Sequence, residues 1–174
     1  RPVRNAELAY TYQLFGKKDE AAKLYAQAAD SAPKNLALQL SASQAAITLG
    51  GLDAGEKYLN RAAAVEPDNY RVHAIRGQMA RLQEKLPDAA REYSAALDRL
   101  PQAPAEGPRY GIQLRMNLVE IYKSLHDEAD LHRHLEIAQA EISARKEQGP
   151  ARPEFLRRRP ATRVDQGGTK AAGR

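Results

Sequence analysis

The stretch that decides the fold begins at Asp19, ends at Pro33 and reads DEAAKLYAQAADSAP. It recurs as DAGEKYLNRAAAVEP over residues 53–67 and as PDAAREYSAALDRLP over residues 87–101. The closing prolines are 34 residues apart, and each follows an alanine-rich segment at the place where a proline is expected just beyond a helix end. A period of this length is typical of stacked helix–turn–helix units, so the chain is predicted to be all-α.

Small residues recur at fixed positions within these units. Two helices approach closely only where the crossing side chains are small, and bulkier side chains then fill the gaps beside the crossing. The predicted crossing residues are Ala9, Ser43 and Gly77 in the first helices and Ala21, Gly55, Ala89, Ala28, Ala62 and Ala96 in the second helices. The bulky residues beside them are Tyr25, Leu59 and Tyr93.

In these residues the sequence resembles the tetratricopeptide-repeat (TPR) family. Units of that family carry small residues at positions eight, twenty and twenty-seven, an aromatic residue near position twenty-four and a proline at position thirty-two. The resemblance implies a right-handed α-solenoid of about four helix–turn–helix repeats. Its units would be residues 2–35, 36–69 and 70–103, followed after an extra loop by a degenerate unit at residues 112–143.

The solenoid is predicted to end within the fourth unit, where the position expected to face the next repeat becomes polar. That position is occupied in turn by Ala29, Ala63, Leu97 and Gln139. A terminal repeat with a polar outer face is what a solenoid needs as a cap. We therefore expect residues 2–143 to form the TPR solenoid.

Residues 144–174 form a tail of different composition. They hold nine of the 27 Lys and Arg residues but three of the 22 Asp and Glu residues, so the net charge of +5 arises in the tail and the helical body is close to neutral. With few bulky apolar side chains, the segment buries too little surface to offset its ordering entropy. We expect a disordered basic tail. It is either a solvated terminus with no binding role, or it contacts nucleic acid, a membrane or an acidic partner through Arg157, Arg158 and Arg159.

The composition narrows the class of protein and leaves the compartment open. The absence of cysteine excludes disulfide frameworks, thiolate metal sites and cysteine nucleophiles, and it is compatible with both the cytoplasm and the periplasm. The many alanines and arginines are typical of a bacterial protein. Because residue 1 is arginine rather than methionine, we expect a processed product or a piece of a longer protein.

No motif in the sequence predicts catalysis. Gly50-Gly51 lacks the spacing of a phosphate-binding loop and lies at an expected turn between helices, and no nucleophile elbow is present. His126, His132 and His134 lie among carboxylates, but residues two apart on a helix point in nearly opposite directions, and His126 falls in a turn. We interpret them as part of a solvated polar face rather than a metal site. The chain is expected to be non-catalytic, with no cofactor, metal or small-molecule substrate.

The resemblance implies another kind of site, a concave groove that is formed by the first helices and receives an extended peptide. Tyr10, Gln44 and Gln78 would form a matched row suited to hydrogen-bonding a peptide backbone, and Arg71 and Arg81 would suit an acidic group. The alternative is that these residues merely line a solvated groove. The site residues carried over by position are Tyr10, Leu40, Gln44, Arg71, Gln78, Arg81 and Glu120.

One subtype of the family clamps the C-terminal carboxylate of a chaperone with Lys, Arg and Asn side chains. The matching positions here are Ala6, Tyr10, Ser41, Arg71 and Ile75, and because only Arg71 fits, such a clamp is not expected. We therefore predict a protein-interaction scaffold for a different protein or peptide partner. The alternatives are a regulatory or docking fragment of a larger bacterial enzyme or of an envelope or secretion component, and a nucleic-acid- or membrane-associated factor that works through its tail.

Overall fold

The computed structural model describes residues 1–100 and 107–148. Within these ranges the chain forms eight α-helices, and none of them is long and apolar enough to span a membrane. Each odd-numbered helix packs against the even-numbered helix that follows it, and consecutive pairs stack on one another. The predicted all-α, right-handed α-solenoid is confirmed. The helices are α1 (Pro2–Leu14), α2 (Lys18–Ser31), α3 (Leu36–Thr48), α4 (Leu52–Val65), α5 (Tyr70–Leu82), α6 (Leu86–Asp98), α7 (Gly107–Ser124) and α8 (Glu128–Gln148).

The two helices of a repeat approach most closely at the predicted small residues. Ala28 at one such crossing has no exposed surface. A Cβ atom on Gly77 would lie 2.9 Å from Cδ1 of Tyr93, so glycine is what admits the tyrosine ring at this crossing. In unit two the hydroxyl of Ser43, also without exposed surface, donates a hydrogen bond of 2.8 Å to the carbonyl of Gly55. The crossing residues therefore set how closely each helix pair packs.

Apolar contacts and one buried amide hold unit two against unit one. Ala29 and Leu38 lie in one buried cluster with Tyr58. The side chain of Gln39, which has no exposed surface, donates through Nε2 to the carbonyls of Ala29 at 2.7 Å and Ala32 at 3.2 Å. These carbonyls lie at and just beyond the C-terminal end of α2, and they also accept the backbone N–H groups of Ala32 and Asn35. Unit two thus caps the last helix of unit one.

The turn inside each repeat contains one residue in the left-handed region of backbone space. Gly16 has a φ of 74° and Gly50 a φ of 80°, whereas Glu84 and His126 hold 59° and 57°. In all four turns the following amide N–H donates to the carbonyl five residues earlier at 2.9–3.0 Å, which is the hydrogen bond of a Schellman cap. Units three and four therefore carry a non-glycine residue where the backbone favours glycine.

The fourth unit differs from its predicted boundaries at both ends. Helix α7 begins at Gly107, earlier than the predicted unit start. Helix α8 continues to Gln148, so residues 144–148, which the sequence assigns to the tail, are helical. Gln139 is exposed on α8, as the predicted polar outer face requires. The rest of the predicted disordered tail, residues 149–174, lies outside the described residues.

Gly77→Leu is expected to lower the free energy of unfolding by roughly 1–3 kcal/mol, because the new side chain enters the space of the Tyr93 ring. Denaturant titration measures this change. Lys23→Leu, at an exposed position of α2, is the control and should alter the value by less than about 0.5 kcal/mol. Lys57 is a poorer control because its Nζ lies 4.8 Å from the centre of the Tyr58 ring. Equal losses at positions 77 and 23 would mean that the helices do not cross at Gly77.

Glu84→Gly is expected to raise the free energy of unfolding by about 0.5–1 kcal/mol, because glycine adopts positive φ without the steric cost of a Cβ atom. Gly50→Ala tests the same strain in the opposite direction and should lower that energy by a similar amount. Lys85→Gly is the matched control, since Lys85 has a φ of −85° and gains no relief from glycine. A Glu84→Gly chain that unfolds more easily than the parent would contradict this account.

Candidate functional site

A cavity of about 310 Å³ lies in the groove between the first helices of the repeats. Helix α3 supplies more of its lining than any other helix, and α1, α2, α5 and α7 complete the walls. Each of the four units therefore contributes to one cavity. The contributions of α3 are Leu40, Ser41, Gln44, Ala45 and Thr48.

Unit one supplies a hydrogen-bonded wall. The hydroxyl of Tyr25 donates to Oε1 of Gln13 at 3.3 Å. Burial raises the pKa of Tyr25 above its ordinary value of 10.0, and the nearby Tyr10 raises it further, so the phenol stays neutral at neutral pH. Lys18, at the start of α2, also lines this wall, and none of the carboxylates in the described ranges pairs with it.

Units three and four supply the opposite wall through Arg71 and Tyr110. Nε of Arg71 donates to the hydroxyl of Tyr70 at 3.1 Å, and the guanidinium carbon lies 5.7 Å from the centre of that ring. The rings of Tyr70 and Tyr110 meet edge to face, with centroids 5.5 Å apart and planes at 78°. This arrangement is favourable for aromatic pairs, so Tyr70 contacts both lining side chains favourably.

The cavity is apolar at its base and positively charged at its walls. Leu40 and Ile75 line it although they are only 6% and 5% exposed, which places them at the base. Among the lining residues that the structure describes, Lys18 and Arg71 are the charged ones, and both are basic. Basic and apolar side chains therefore lie side by side in the lining of the cavity.

Three of the seven predicted site residues share this cavity, and four do not. Leu40, Gln44 and Arg71 line it. Tyr10 lies beside it and is 57% exposed. The guanidinium of Arg81 lies by the hydroxyl of Tyr93. Burial raises the pKa of the Tyr93 phenol, and Arg81 opposes this rise. The predicted residues outside the lining are Tyr10, Gln78, Arg81 and Glu120.

The repeat pattern does not predict Tyr110 or Lys18 as residues of the site. Tyr110 falls in the segment that the repeat boundaries assign to an inserted loop, whereas it lies in α7. The apolar spacing of Tyr110, Leu114 and Leu118 is helical and could have extended that helix towards the N-terminus. Lys18 is the first residue of α2, the second helix of unit one. The groove positions carried over from the family, in contrast, all lie on the first helices of the repeats.

The histidines of the fourth unit do not form one polar face. His126 occupies the left-handed turn, and the exposed His132 places Nδ1 2.7 Å from the carbonyl oxygen of Glu128. His134 is 6% exposed and stacks on Tyr122 with ring centroids 5.6 Å apart. The prediction of a solvated face is therefore wrong for His134, because α8 turns this residue towards α7. No group of three metal-ligating side chains occurs in residues 1–100 and 107–148.

Comparison with protein families gives one match. The family model described as "Tetratricopeptide repeat" matches residues 15–79, which include the second helix of unit one, all of unit two and most of α5. The predicted resemblance is thereby confirmed. No curated protein sequence matches the chain.

Three solved structures of similar fold are distant from this chain in sequence. The first TPR of Spaghetti (RPAP3), bound to the HSP90 peptide SRMEEVD, is 23% identical, covers 73% of this chain and 94% of its own, and has a TM-score of 0.60. BtubC from P. vanneervenii is 18% identical, with coverages of 92% and 68% and a TM-score of 0.70. MamA from Desulfovibrio magneticus RS-1 is 12% identical, with coverages of 83% and 77% and a TM-score of 0.67. At these identities the likeness establishes the fold.

His134 is expected to make folding stability depend on pH. Burial lowers its pKa below the ordinary value of 6.5, and Arg133 and Arg115 lower it further while Asp130 opposes them. The unfolded chain therefore binds this proton more readily than the folded chain, so stability is full above pH 6.5 and is lost as the pH falls below it. Urea titrations between about pH 7.5 and 5.5 measure the loss.

His134→Leu should remove this part of the pH dependence, because leucine fills the site without a titrating group. The exposed His132→Leu is the matched control and should leave the dependence intact. An unchanged pH dependence in the His134→Leu chain would show that another group is responsible.

Proposed function

We propose that this chain, built from tetratricopeptide repeats, is a non-catalytic scaffold that binds a segment of a partner protein in the groove of its first helices. The observation that carries the proposal is the cavity of about 310 Å³ to which every repeat contributes. A preformed, mostly apolar hollow with a few converging polar groups is the usual form of a binding site. Its lining stands on packed helices, so binding requires little rearrangement.

The groove offers the groups that an extended peptide needs. Gln44 presents an amide that can pair with a peptide N–H and C=O, and Gln78, at the matching position of the next repeat, would do the same. Tyr10 offers an aromatic ring at the open edge, 57% exposed. Arg71 and Arg81 offer guanidinium groups that suit a carboxylate of the partner.

Two further predicted residues extend this surface. Leu40 provides apolar area at the base of the cavity. Glu120 is exposed on α7 and would extend the groove into unit four. The groove proposal therefore spans α1, α3, α5 and α7.

A C-terminal carboxylate clamp is not part of the proposal. The Spaghetti domain of similar fold is bound to an HSP90 peptide. In the present chain, however, Ala6, Ser41 and Ile75 stand at three of the positions where a clamp requires basic or amide side chains, and Tyr10 stands at a fourth. An internal segment of a partner suits these residues better than a free chain end.

Site-specific photocrosslinking tests the location of the groove. A benzoylphenylalanine at position 44 should capture the partner from a lysate of the source organism, whereas the same group at Lys23, on the outer face of α2, should not. The captured protein then serves as the ligand for affinity measurements.

Tyr10→Ala and Arg71→Ala should each weaken binding of that ligand by roughly 1–2 kcal/mol, because a few groups in a preformed site carry most of the binding energy. Lys23→Ala is the control and should bind as the parent does. Melting curves verify that the variants are folded. Loss of binding in the Lys23→Ala chain, with binding retained by both groove variants, would place the recognition surface elsewhere.

A further inference from the structure

We propose that protonation of His134 releases helix α8 from α7 as a unit, while α1 to α7 stay folded. This switch goes beyond the proposed function, because it lies at the interface between the last two described helices rather than in the groove of the first helices. It would let acid change the end of the solenoid without unfolding the repeats before it.

Helix α8 is held by fewer buried side chains than the second helices of the other repeats. Each of α2, α4 and α6 buries four residues. Within residues 128–146 of α8, the buried residues are His134 and Ala138. Helix α8 also packs chiefly on α7, whereas α6 packs on both α5 and α7. Little apolar surface therefore opposes the separation of α8 from the solenoid.

The interface between α7 and α8 contains polar atoms without hydrogen-bond partners. Both ring nitrogens of His134 are buried and unpaired, and the residue is 6% exposed. Glu141 accepts a hydrogen bond of 3.1 Å through Oε1 from Nε of Arg115, but its Oε2 is buried and unpaired. Of the five such atoms in the described ranges, these three lie on α8. Because a buried polar atom without a partner is stabilised again by contact with water, release of α8 recovers this free energy.

His134 lies between the two helices, among groups that disfavour a positive charge. Its ring stacks on Tyr122 of α7, with centroids 5.6 Å apart and planes at 8°. The charged groups that face it are Arg115 on α7 and Asp130 and Arg133 on α8. Tyr122 stays neutral, because burial raises its pKa above the ordinary value of 10.0 and Asp130 raises it further. Two guanidinium groups and one carboxylate therefore surround a buried imidazole.

The direction of the pH effect follows from these surroundings. Burial lowers the pKa of His134 below 6.5, and the two arginines lower it further while Asp130 opposes them. In released α8 the imidazole returns to water, so the released state binds the proton more readily than the docked state. Docking is therefore fully favourable above pH 6.5 and weakens as the pH falls below it. One proton weakens the docking equilibrium by at most about tenfold per pH unit.

Helix α7 keeps its place in the solenoid when α8 leaves. Leu118 and Ile121 of α7 lie in one buried cluster with Tyr93 of α6, and the described residues of α8 do not belong to that cluster. Release therefore frees the ring of Tyr122 and the guanidinium of Arg115 while the contacts between α6 and α7 remain. The α7 surface that α8 covers thus becomes accessible in acid.

Thiol labelling measures the release, because the chain contains no cysteine. Ala138→Cys places a thiol at a position of α8 that is 1% exposed, and Ala96, without exposed surface, holds the matching position of α6. The probe is dithiodipyridine, and each labelling rate is divided by the rate of free cysteine at the same pH. The normalised rate at position 138 should rise by several-fold, towards about tenfold, between pH 7.5 and 5.5. Ala96→Cys is the matched control, and its normalised rate should not change.

His134→Leu identifies the titrating group. In this background the rise at position 138 should disappear, whereas His132→Leu, which replaces an exposed histidine of the same helix, should leave the rise intact. Amide hydrogen exchange of the unaltered chain, followed by mass spectrometry, is the second measurement and needs no cysteine. It should show lower protection of α8 at pH 5.5 than at pH 7.5, with unchanged protection of α4. This measurement decides the question if a cysteine at position 138 disturbs the helix pair.

Three outcomes would overturn the proposal. Unchanged protection of α8 between pH 7.5 and 5.5 would show that the helix stays docked in acid. Normalised rates that rise together at positions 138 and 96 would show that the whole solenoid opens. A rise at position 138 that persists in the His134→Leu chain would assign the effect to another group.

Discussion

Close approach between the two helices of each repeat is the constraint on which the rest of the structure depends. At Gly77 the ring of Tyr93 occupies space that even a Cβ atom would enter, and at Ser43 the approach is close enough for its hydroxyl to reach a carbonyl of the partner helix. Each such contact fixes the spacing of one helix pair, and the stacking of pairs then fixes the curvature of the groove. The site thus depends on residues that do not line it. This dependence explains why the small residues recur so regularly, because a repeat with a wider crossing would displace every unit after it.

Much of the fold could be predicted because the same small residues and prolines recur at fixed positions in three units. One Pro33 or one Ala28 would indicate little, but three copies in register fix the helix pairs and the turns between them. The prediction weakened where repetition ends. In unit four, α7 begins early and α8 turns His134 inward against Tyr122, and both features depend on contacts between helices rather than on local pattern. The strained turn at Glu84 is a further case, because its backbone conformation is inherited from the positions of Gly16 and Gly50 and cannot be inferred from glutamate itself.

The sequence predicts which helices carry the candidate site, but not which of their residues lie close enough together to line one cavity. Position within a repeat correctly places Tyr10, Gln78, Arg81 and Glu120 on first helices, yet only Leu40, Gln44 and Arg71 of the predicted set line the cavity. A position in a repeat tells which way a side chain points, whereas the cavity depends on how strongly the stack bends and on which helix ends the bend brings together. Tyr110 enters the lining through that bend, and so does Lys18 from a second helix. Sequence periodicity could place Tyr110 in a helix, but it carries no measure of curvature and so could not predict that Tyr110 and Lys18 line the same cavity.

The contribution of every repeat to one cavity restricts how such a chain can evolve. Solenoids in which each unit touches only its neighbours tolerate the gain or loss of a unit, since the remaining interfaces are unchanged. Here Gln13 of unit one and Tyr110 of unit four line the same cavity, so its shape depends on the two units between them and on the twist from one unit to the next. Duplicating or deleting an internal repeat would preserve every local interface and still separate these walls. The four repeats that line the cavity therefore have to keep their order and spacing, although the architecture is that of an open-ended stack.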